Sequence, residues 1–345
     1  MKPRIAVIYH SRGGTMRALA DNACATAARA GAQVRLRRVA DDHCGGSVQW
    51  TEDAVVSADD VLWSDGLLFA VPTYFGNVSA PMKCFMDSLS PLWHQGLLAD
   101  RAVAASSLSN SPQGGREMTV SSLHQTAHHW GSWVVRTERL IEAATYVRRA
   151  PVAGARLVII HEGKPGSALH ITAHAMAQGA RGAGANVRLS LVSSVGAQDD
   201  LRWADAIAFG GHSALGLMSP DVLRFIIDSQ GRYGRTVFAG KPVTAFTAVP
   251  EGVSGSQSAL LNLYTALHHL DCVIVAPGYT DPSIKAADGN PYGISMLETS
   301  LPGETCLNAA QHQGRRLAEA AGKVRTGASS LRHATVPDPE AEHEA

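Results

Sequence analysis

Along the chain, short runs of apolar residues recur at intervals and are separated by stretches whose apolar positions fall every three or four residues. Residues 5–9 form the first run, rich in β-branched side chains, and a glycine-containing loop and an Ala-rich helical stretch ending near Gly31 follow it. A second strand comes next, and further apolar runs occupy 66–71, 102–107 and 133–135. The order then repeats with 157–160, an Ala-rich helix ending near Gly184, and runs at 206–209, 242–246 and 272–276. Strands that are apolar throughout are buried on both faces, and their alternation with helices predicts βαβ units around a parallel sheet. Thr137 is placed to cap a short helix with the stripe Leu140, Ile141, Ala144 and Val147, stopped by Pro151. A last helix is predicted over about 308–321, and the polar, acidic end beyond Val324, with Pro337 and Pro339, predicts a disordered tail over 325–345.

The two series are copies of one pattern. Ala-Gly-Ala-Gln-Val-Arg-Leu at 30–36 returns as Ala-Gly-Ala-Asn-Val-Arg-Leu at 183–189. Trp63 and Asp65 match Trp203 and Asp205, Phe69 matches Phe209, Gly76 matches Gly216, Ser79 matches Ser219, and His128-His129 match His268-His269, all at an offset of 140. The reading is a tandem duplication of a doubly wound α/β domain, with halves at 1–152 and 153–324.

Charge and composition remove several function classes. Thirty Lys and Arg balance thirty Asp and Glu, and only 17% of residues are charged, so no basic field for nucleic acid exists. No apolar run approaches the roughly 20 residues of a membrane-spanning helix, and the start of the chain does not read as a signal peptide, so a cytoplasmic protein is expected. The five cysteines (Cys24, Cys44, Cys84, Cys272, Cys306) show no metal-type spacing and read as reduced structural thiols. His124/His128 and His170/His174 stand four apart without the carboxylate of an H-E-x-x-H motif, so no metal site is expected.

In a doubly wound sheet the ligand lies beyond the carboxyl ends of the strands, so the loops after strands one, three and four carry the chemistry. The first, Ser11-Arg12-Gly13-Gly14-Thr15-Met16-Arg17, joins a strand to a helix and can present backbone N–H groups to a phosphate. By itself it serves equally as a Gly-rich turn with Thr15 as N-cap, and it lacks the fingerprints for nucleoside triphosphates and dinucleotides. The second, Val71-Pro72-Thr73-Tyr74-Phe75-Gly76-Asn77-Val78-Ser79, sets aromatic rings beside small and amide residues and suits a flat heteroaromatic ring, although such a pair is also a common core feature.

This second loop, with Met82, Phe85 and Asp87 and then Leu92, Trp93 and Gly96, resembles the FMN loop of the flavodoxin-like NAD(P)H:quinone oxidoreductases of WrbA type. Ser106-Ser107, Gly114-Gly115-x-Glu117 and Ala127-His128-His129 resemble that family's third loop and the helix after it. The likeness spans residues 4–135 and implies two flavodoxin-like, doubly wound, five-stranded parallel sheets in tandem. It further implies FMN as cofactor, NAD(P)H as co-substrate and a quinone-like acceptor reduced by two electrons in a ping-pong cycle. Carried over, the cofactor residues are Ser11, Arg12, Gly13, Thr15 and Met16 at the phosphate; Pro72, Thr73, Tyr74, Phe75, Gly76 and Asn77 around the ring; and Ser107, Ser109, Asn110, Gly114 and Gly115 at its pyrimidine edge. His129 lies beside the flavin in this reading, and Trp93 with Tyr74 or Phe75 forms apolar walls, so His129, Trp93 and Tyr74 are the candidate catalytic residues.

The second copy departs from the pattern. Its first loop, His161-Glu-Gly-Lys-Pro-Gly-Ser167, is one residue longer, and Pro165 removes an N–H donor; its ring loop, 210–219, has lost the aromatics. It keeps Asp288-Gly-Asn-Pro-Tyr292-Gly293 and Ala310-Gln-His-Gln-Gly314, which resemble the family's closing loop and last helix. The expectation is a built-in pseudo-dimer that assembles further as a homo-oligomer, with Tyr292 lent to a flavin site on the first copy or on another chain. Competing readings are a specialised reductase of a nitro, azo or quinonoid metabolite, a flavodoxin-type electron carrier, and a scaffold that has lost its cofactor.

Overall fold

The computed structural model describes residues 2–40, 52–109, 111, 114–250 and 255–334. The first half runs β1 (Arg4–Tyr9), α1 (Thr15–Arg29), β2 (Gln33–Arg38), α2 (Ala58–Trp63), β3 (Gly66–Pro72), α3 (Ala80–Ser88), α4 (Ser90–His94), β4 (Ala102–Leu108), α5 (Arg116–Trp130), β5 (Trp133–Val134) and α6 (Leu140–Val147). The second runs β6 (Arg156–His161), α7 (Ala168–Gly182), β7 (Asn186–Leu191), α8 (Ala197–Trp203), β8 (Ala206–Ala214), β9 (Leu217–Met218) and α9 (Pro220–Tyr233). It continues with β10 (Pro242–Val249), α10 (Ser256–His269), β11 (Val273–Ile274), α11 (Pro282–Ala286), β12 (Ser295–Leu297) and α12 (Glu304–Ala334).

Neighbouring strands follow the order β2-β1-β3-β4-β5-β11-β10-β8-β6-β7. Within each half the five strands are parallel and share one order, with the first strand between the second and third, as a doubly wound unit requires. Two separate sheets are not what forms, however. β5 and β11 pair antiparallel at Val134 and Ile274, and the halves merge into one sheet. Each of these strands is the exposed edge of its own half, and pairing the two edges satisfies backbone groups that would otherwise invite association. Val134 and Ile274 are also repeat equivalents (274 − 134 = 140), so the sheet joins on a local pseudo-twofold axis. β9 closes a hairpin on β8, and β12 pairs with the far end of β10 at Thr247 to Val249.

Alternate strand residues point to opposite faces, and each face is one core that runs across both halves. Ile5, Val7, Trp133, Ile159 and Val273 pack with Met16, Leu140, Met176 and Leu317 on one face. Ala6, Ile8, Val134, Ile207 and Ile274 pack with Val61, Met82, Leu123, Phe225 and Leu263 on the other.

The halves also repeat a polar cluster at the start of the sheet. Arg4 donates to Asp65 through its backbone N at 2.8 Å, Nε at 3.3 Å and NH2 at 3.0 Å, and Arg156 repeats these three bonds to Asp205 at 2.9, 3.3 and 2.8 Å. Arg35 stands 4.2 Å from the Trp63 ring and Arg188 stands 4.0 Å from that of Trp203. The expected short helix after β5 is present, but α12 runs to Ala334, so the chain stays helical ten residues beyond Val324 where a disordered tail is expected to begin. Residues 335–345 lie outside the described residues. Among the described residues no helix is long and apolar enough to cross a membrane.

Candidate functional site

Three loops of the first half converge at the carboxyl ends of β1, β3 and β4, where His10 N–H donates to the carbonyl of Ala70 at 3.0 Å and Thr73 N–H to that of Leu108 at 3.0 Å. Gly14 sits at the N-cap of α1 with φ 79° and no side-chain cap, which leaves the first-turn N–H groups free of a side-chain acceptor. A Cβ on Gly13 or Gly14 would meet nothing within 4 Å, so the backbone there is open to a bound group. Ser11 is half-buried, and Arg12 and Thr15 are exposed on the same rim. Met16, by contrast, buries its side chain in the core, so only its backbone can face a ligand.

In the second loop Tyr74 and Asn77 exchange backbone hydrogen bonds of 3.2 and 3.0 Å around Phe75 (φ 54°) and Gly76 (φ 77°), a turn in which both central residues are left-handed. The turn lifts Phe75 fully into solvent and sets the Tyr74 ring 6.0 Å from the Arg12 guanidinium, so loops one and two share a rim. Pro72 ends β3, and the Asn77 amide donates to the Phe75 carbonyl at 3.0 Å. Thr73 and Thr119 hydroxyls lie 2.6 Å apart, tying the second loop to α5.

The third loop packs against the second so closely that a Cβ on Gly115 (φ 85°) would lie 2.9 Å from the Gly76 Cα. Ser109 donates to the carbonyl of Ser111 and closes the turn before Gly114. Asn110 falls outside the described residues. The hydroxyls of Ser79 and Ser107 are buried and have no hydrogen-bond partner. Buried hydroxyls without partners are costly, and here they stand at the ends of the two loops that would flank a ring. An uncapped helix N-terminus, open glycines and two orphaned hydroxyls fit a phosphate-bearing planar group such as FMN.

His129 and Trp93 are not at these loops. α5 leaves the third loop and runs back along the sheet, and thirteen steps of about 1.5 Å put His129 roughly 20 Å from Arg116, at the opposite sheet edge. There His129 Nε2 lies 3.0 Å from the Tyr292 hydroxyl, and the Trp93 indole donates to the His129 carbonyl at 3.0 Å. Tyr279 packs on both rings with centroids 5.6 Å away. Burial holds the His129 imidazole below its ordinary range. The structure therefore brings Trp93, His129 and Tyr292 together beside a cleft of about 380 Å³, but away from Tyr74 and the other loop residues of the same chain.

What stands by the third loop instead is the second half's histidine pair. A cavity of about 290 Å³ between α5 and α10 is lined by Ser107, Arg116, His124, Thr265, His268 and His269, among others. The rings of His124 and His268 lie 4.8 Å apart and those of His128 and Tyr264 5.4 Å apart; each contact is the 140-residue equivalent of the other, as an isologous interface requires. His124 Nε2, His128 Nδ1 and His268 Nε2 are buried without partners. Burial and the neighbouring imidazoles push His128 down to about 3 and lower His124 and His268 as well. His124, His128 and His268 are thus held as neutral imidazoles, each able to donate or accept a hydrogen bond. The repeat offset already pairs His128-His129 with His268-His269; what the sequence lacks is the axis that turns each pair toward the other half.

A family model described as "NADPH-dependent FMN reductase" matches residues 3–145. The chain is 32% identical over 140 residues to an NAD(P)H dehydrogenase (quinone) of Deinococcus radiodurans, covering 37% of this chain and 70% of that protein. It is 32% identical over 180 residues to an NAD(P)H dehydrogenase (quinone) of Methylocella silvestris, covering 44% of this chain and 90% of that protein. Among solved structures, a flavodoxin, WrbA-like protein from Agrobacterium tumefaciens aligns at 21% identity and a TM-score of 0.38, covering 49% of this chain and 98% of that one. With about a third of residues shared over most of the length of these relatives, the chain belongs to the NAD(P)H dehydrogenase (quinone) family of flavodoxin-like oxidoreductases.

Proposed function

We propose that the chain is an FMN-dependent NAD(P)H oxidoreductase that makes two-electron reductions of quinone-like acceptors, with its flavin held by the first half. The observation that carries this reading is that the loops after β1, β3 and β4, tied at their bases by the His10–Ala70 and Thr73–Leu108 backbone bonds, carry an uncapped α1 N-terminus and the partnerless hydroxyls of Ser79 and Ser107. FMN, when bound, supplies the hydride chemistry. The protein's part is to bind and orient. Backbone N–H groups from Gly13 to Met16, with Ser11, Arg12 and Thr15, would hold the phosphate, while the turn Tyr74–Asn77 and Ser107, Ser109, Gly114 and Gly115 would flank the ring.

The cavity between α5 and α10 opens onto Ser107 and is the proposed place where nicotinamide and acceptor take turns. The neutral imidazoles of His124, His128 and His268 offer hydrogen bonds to carbonyl and amide oxygens without the cost of burying a charge. In this reading His269, with His268, takes the place by the flavin loops that the family resemblance gives to His129. The corner of Trp93, His129 and Tyr292 would serve a flavin only across a contact with another chain. Two substrates alternating in one pocket give parallel double-reciprocal lines in steady-state assays of NAD(P)H and a quinone; intersecting lines would refute the shared pocket.

Several companion inferences go with this. The two halves, 1–152 and 153–324, arose by duplication, supported by the matched Arg–Asp–Trp clusters. Phe75 and Leu215, equivalent turn residues, are both fully exposed, which supports assembly with further copies of the chain. A cytoplasmic setting suits Cys24, Cys84, Cys272 and Cys306, all free thiols.

A further inference from the structure

We propose that the second half holds no FMN because the carboxylate of Glu162 occupies the corner between the ends of β6 and β8 and the start of α9, which the first half leaves open between Ser11 and Ser79, so that one chain carries one flavin. This rests on the flavin reading of the first half and concerns residues that reading does not use. In the first half, the end of β1 opens into a loop whose glycines have free space around them. In the second half the equivalent loop is one residue longer and lines a cleft of about 590 Å³ with Glu162, Gly163, Lys164 and Pro165. Gly166, before the helix as Gly14 is, is likewise open; the change lies at the end of β6. A Cβ on Gly163 (φ 110°) would meet Ser167 Oγ at 2.7 Å and Leu169 Cβ at 3.0 Å. Ser167 caps α7 with its own hydroxyl, accepting from His170 N–H at 3.3 Å, whereas α1 has no side-chain cap. Pro165 contributes no N–H.

Glu162 stands at the position of Ser11 in the 151-residue offset that aligns His10 with His161. Its Oε2 accepts the backbone N–H of His212 at 2.7 Å, and its Oε1 accepts the hydroxyl of Ser219. Ser219 is the repeat equivalent of Ser79, whose hydroxyl is one of the two left without a partner in the first half. The donor that waits for a ligand in one copy is thus consumed by a protein carboxylate in the other. A carboxylate presents two acceptor oxygens where a phosphate would present three, and its negative charge repels a phosphate from the same corner. The remaining features agree: the turn at 214–217 offers Leu215 where the first half offers Phe75, and the Tyr74 position is Ala214.

The test is the stoichiometry of FMN bound by the full chain, stripped of flavin and titrated by fluorescence quenching. One FMN per chain is expected; two would overturn the proposal, and none would refute the flavin reading on which it stands. Inorganic phosphate, added to chain already loaded with FMN and followed by calorimetry, reads the second corner directly. The wild type is expected to take up none, and Glu162→Ser, which restores the first half's residue and frees His212 N–H and Ser219, is expected to take up one per chain. Uptake by the FMN-loaded wild type, or none by a folded Glu162→Ser, overturns the assignment to Glu162. Should Glu162→Ser fail to fold, Glu162→Gln removes the charge at constant size and is expected to take up phosphate where the wild type takes up none; no uptake by it overturns the assignment.

Discussion

The histidines on the pseudo-twofold axis should make the fold acid-sensitive, and the size of the effect follows from their burial. His128 is buried and His124 half-buried with its Nε2 out of solvent, and their neighbours in the cluster are His129 and His268, with Arg136 and Asp271 acting on His268. Burial and like imidazoles lower the folded-state pKa, to about 3 for His128, whereas the unfolded chain titrates near 6.5. Above about pH 6.5 neither state binds the proton and stability is complete. As the pH falls below that value the unfolded chain takes up protons that the folded one refuses, so stability is lost at about 1.4 kcal/mol per pH unit for each such histidine. At about pH 5 this is roughly 2 kcal/mol for His128, with His124 acting in the same direction, a sizeable share of the 5–15 kcal/mol typical of a folded domain. Urea unfolding of the wild type and of His124→Gln/His128→Gln, at about pH 7.5 and about pH 5, should show a fall in unfolding free energy smaller by at least about 2 kcal/mol in the variant. Equal falls would refute the reasoning and place the acid sensitivity elsewhere.

Three further perturbations probe other parts of the account. Gly115→Ala puts a Cβ 2.9 Å from the Gly76 Cα at a left-handed φ and should lower FMN affinity by at least about tenfold in a fluorescence titration, with the fold retained. Removing the ring at position 269 by His269→Ala should lower kcat/KM for a quinone by about a hundredfold, whereas His129→Ala in a monomeric preparation should change it by no more than about twofold. Burial opposes ionisation of Asp65, but hydrogen bonds and charge from Arg4 and Arg148 prevail and hold its carboxyl below the usual range; Asp65→Asn should therefore cost about 3 kcal/mol in chemical denaturation.

Much of the fold was legible in the sequence because its strands are apolar on both faces. The β3 segment, buried from Gly66 to Val71, and β10, buried along its whole length, give continuous runs that only a covered parallel sheet explains. The junction was not legible. β5 and β11 are two residues each, too short for any periodic signal, and nothing local marks Val134 and Ile274 as partners. The loops were readable as loops, since glycines at positive φ and the aromatic turn sit where a doubly wound fold binds ligands. Which histidine faces them was not, because it depends on how one half turns against the other: α5 carries His129 away from its own third loop while α10 brings His269 toward it. The extension of α12 past Val324 was hidden for a similar reason, since Arg325 there pairs with Asp205 at 3.5 Å, a long-range contact that composition alone does not report.

In the proposed cycle the bound flavin takes two electrons from NAD(P)H and gives them to a quinone. Anaerobic addition of NAD(P)H to the FMN-loaded chain, with the flavin's visible absorption followed in a stopped-flow instrument, tests it most directly. The prediction is complete bleaching at one reductant per flavin and complete recovery on adding one equivalent of quinone. An absorption spectrum that NAD(P)H leaves unchanged, while photoreduction carries it through a stable one-electron stage, would contradict this cycle and assign the chain to electron carriage.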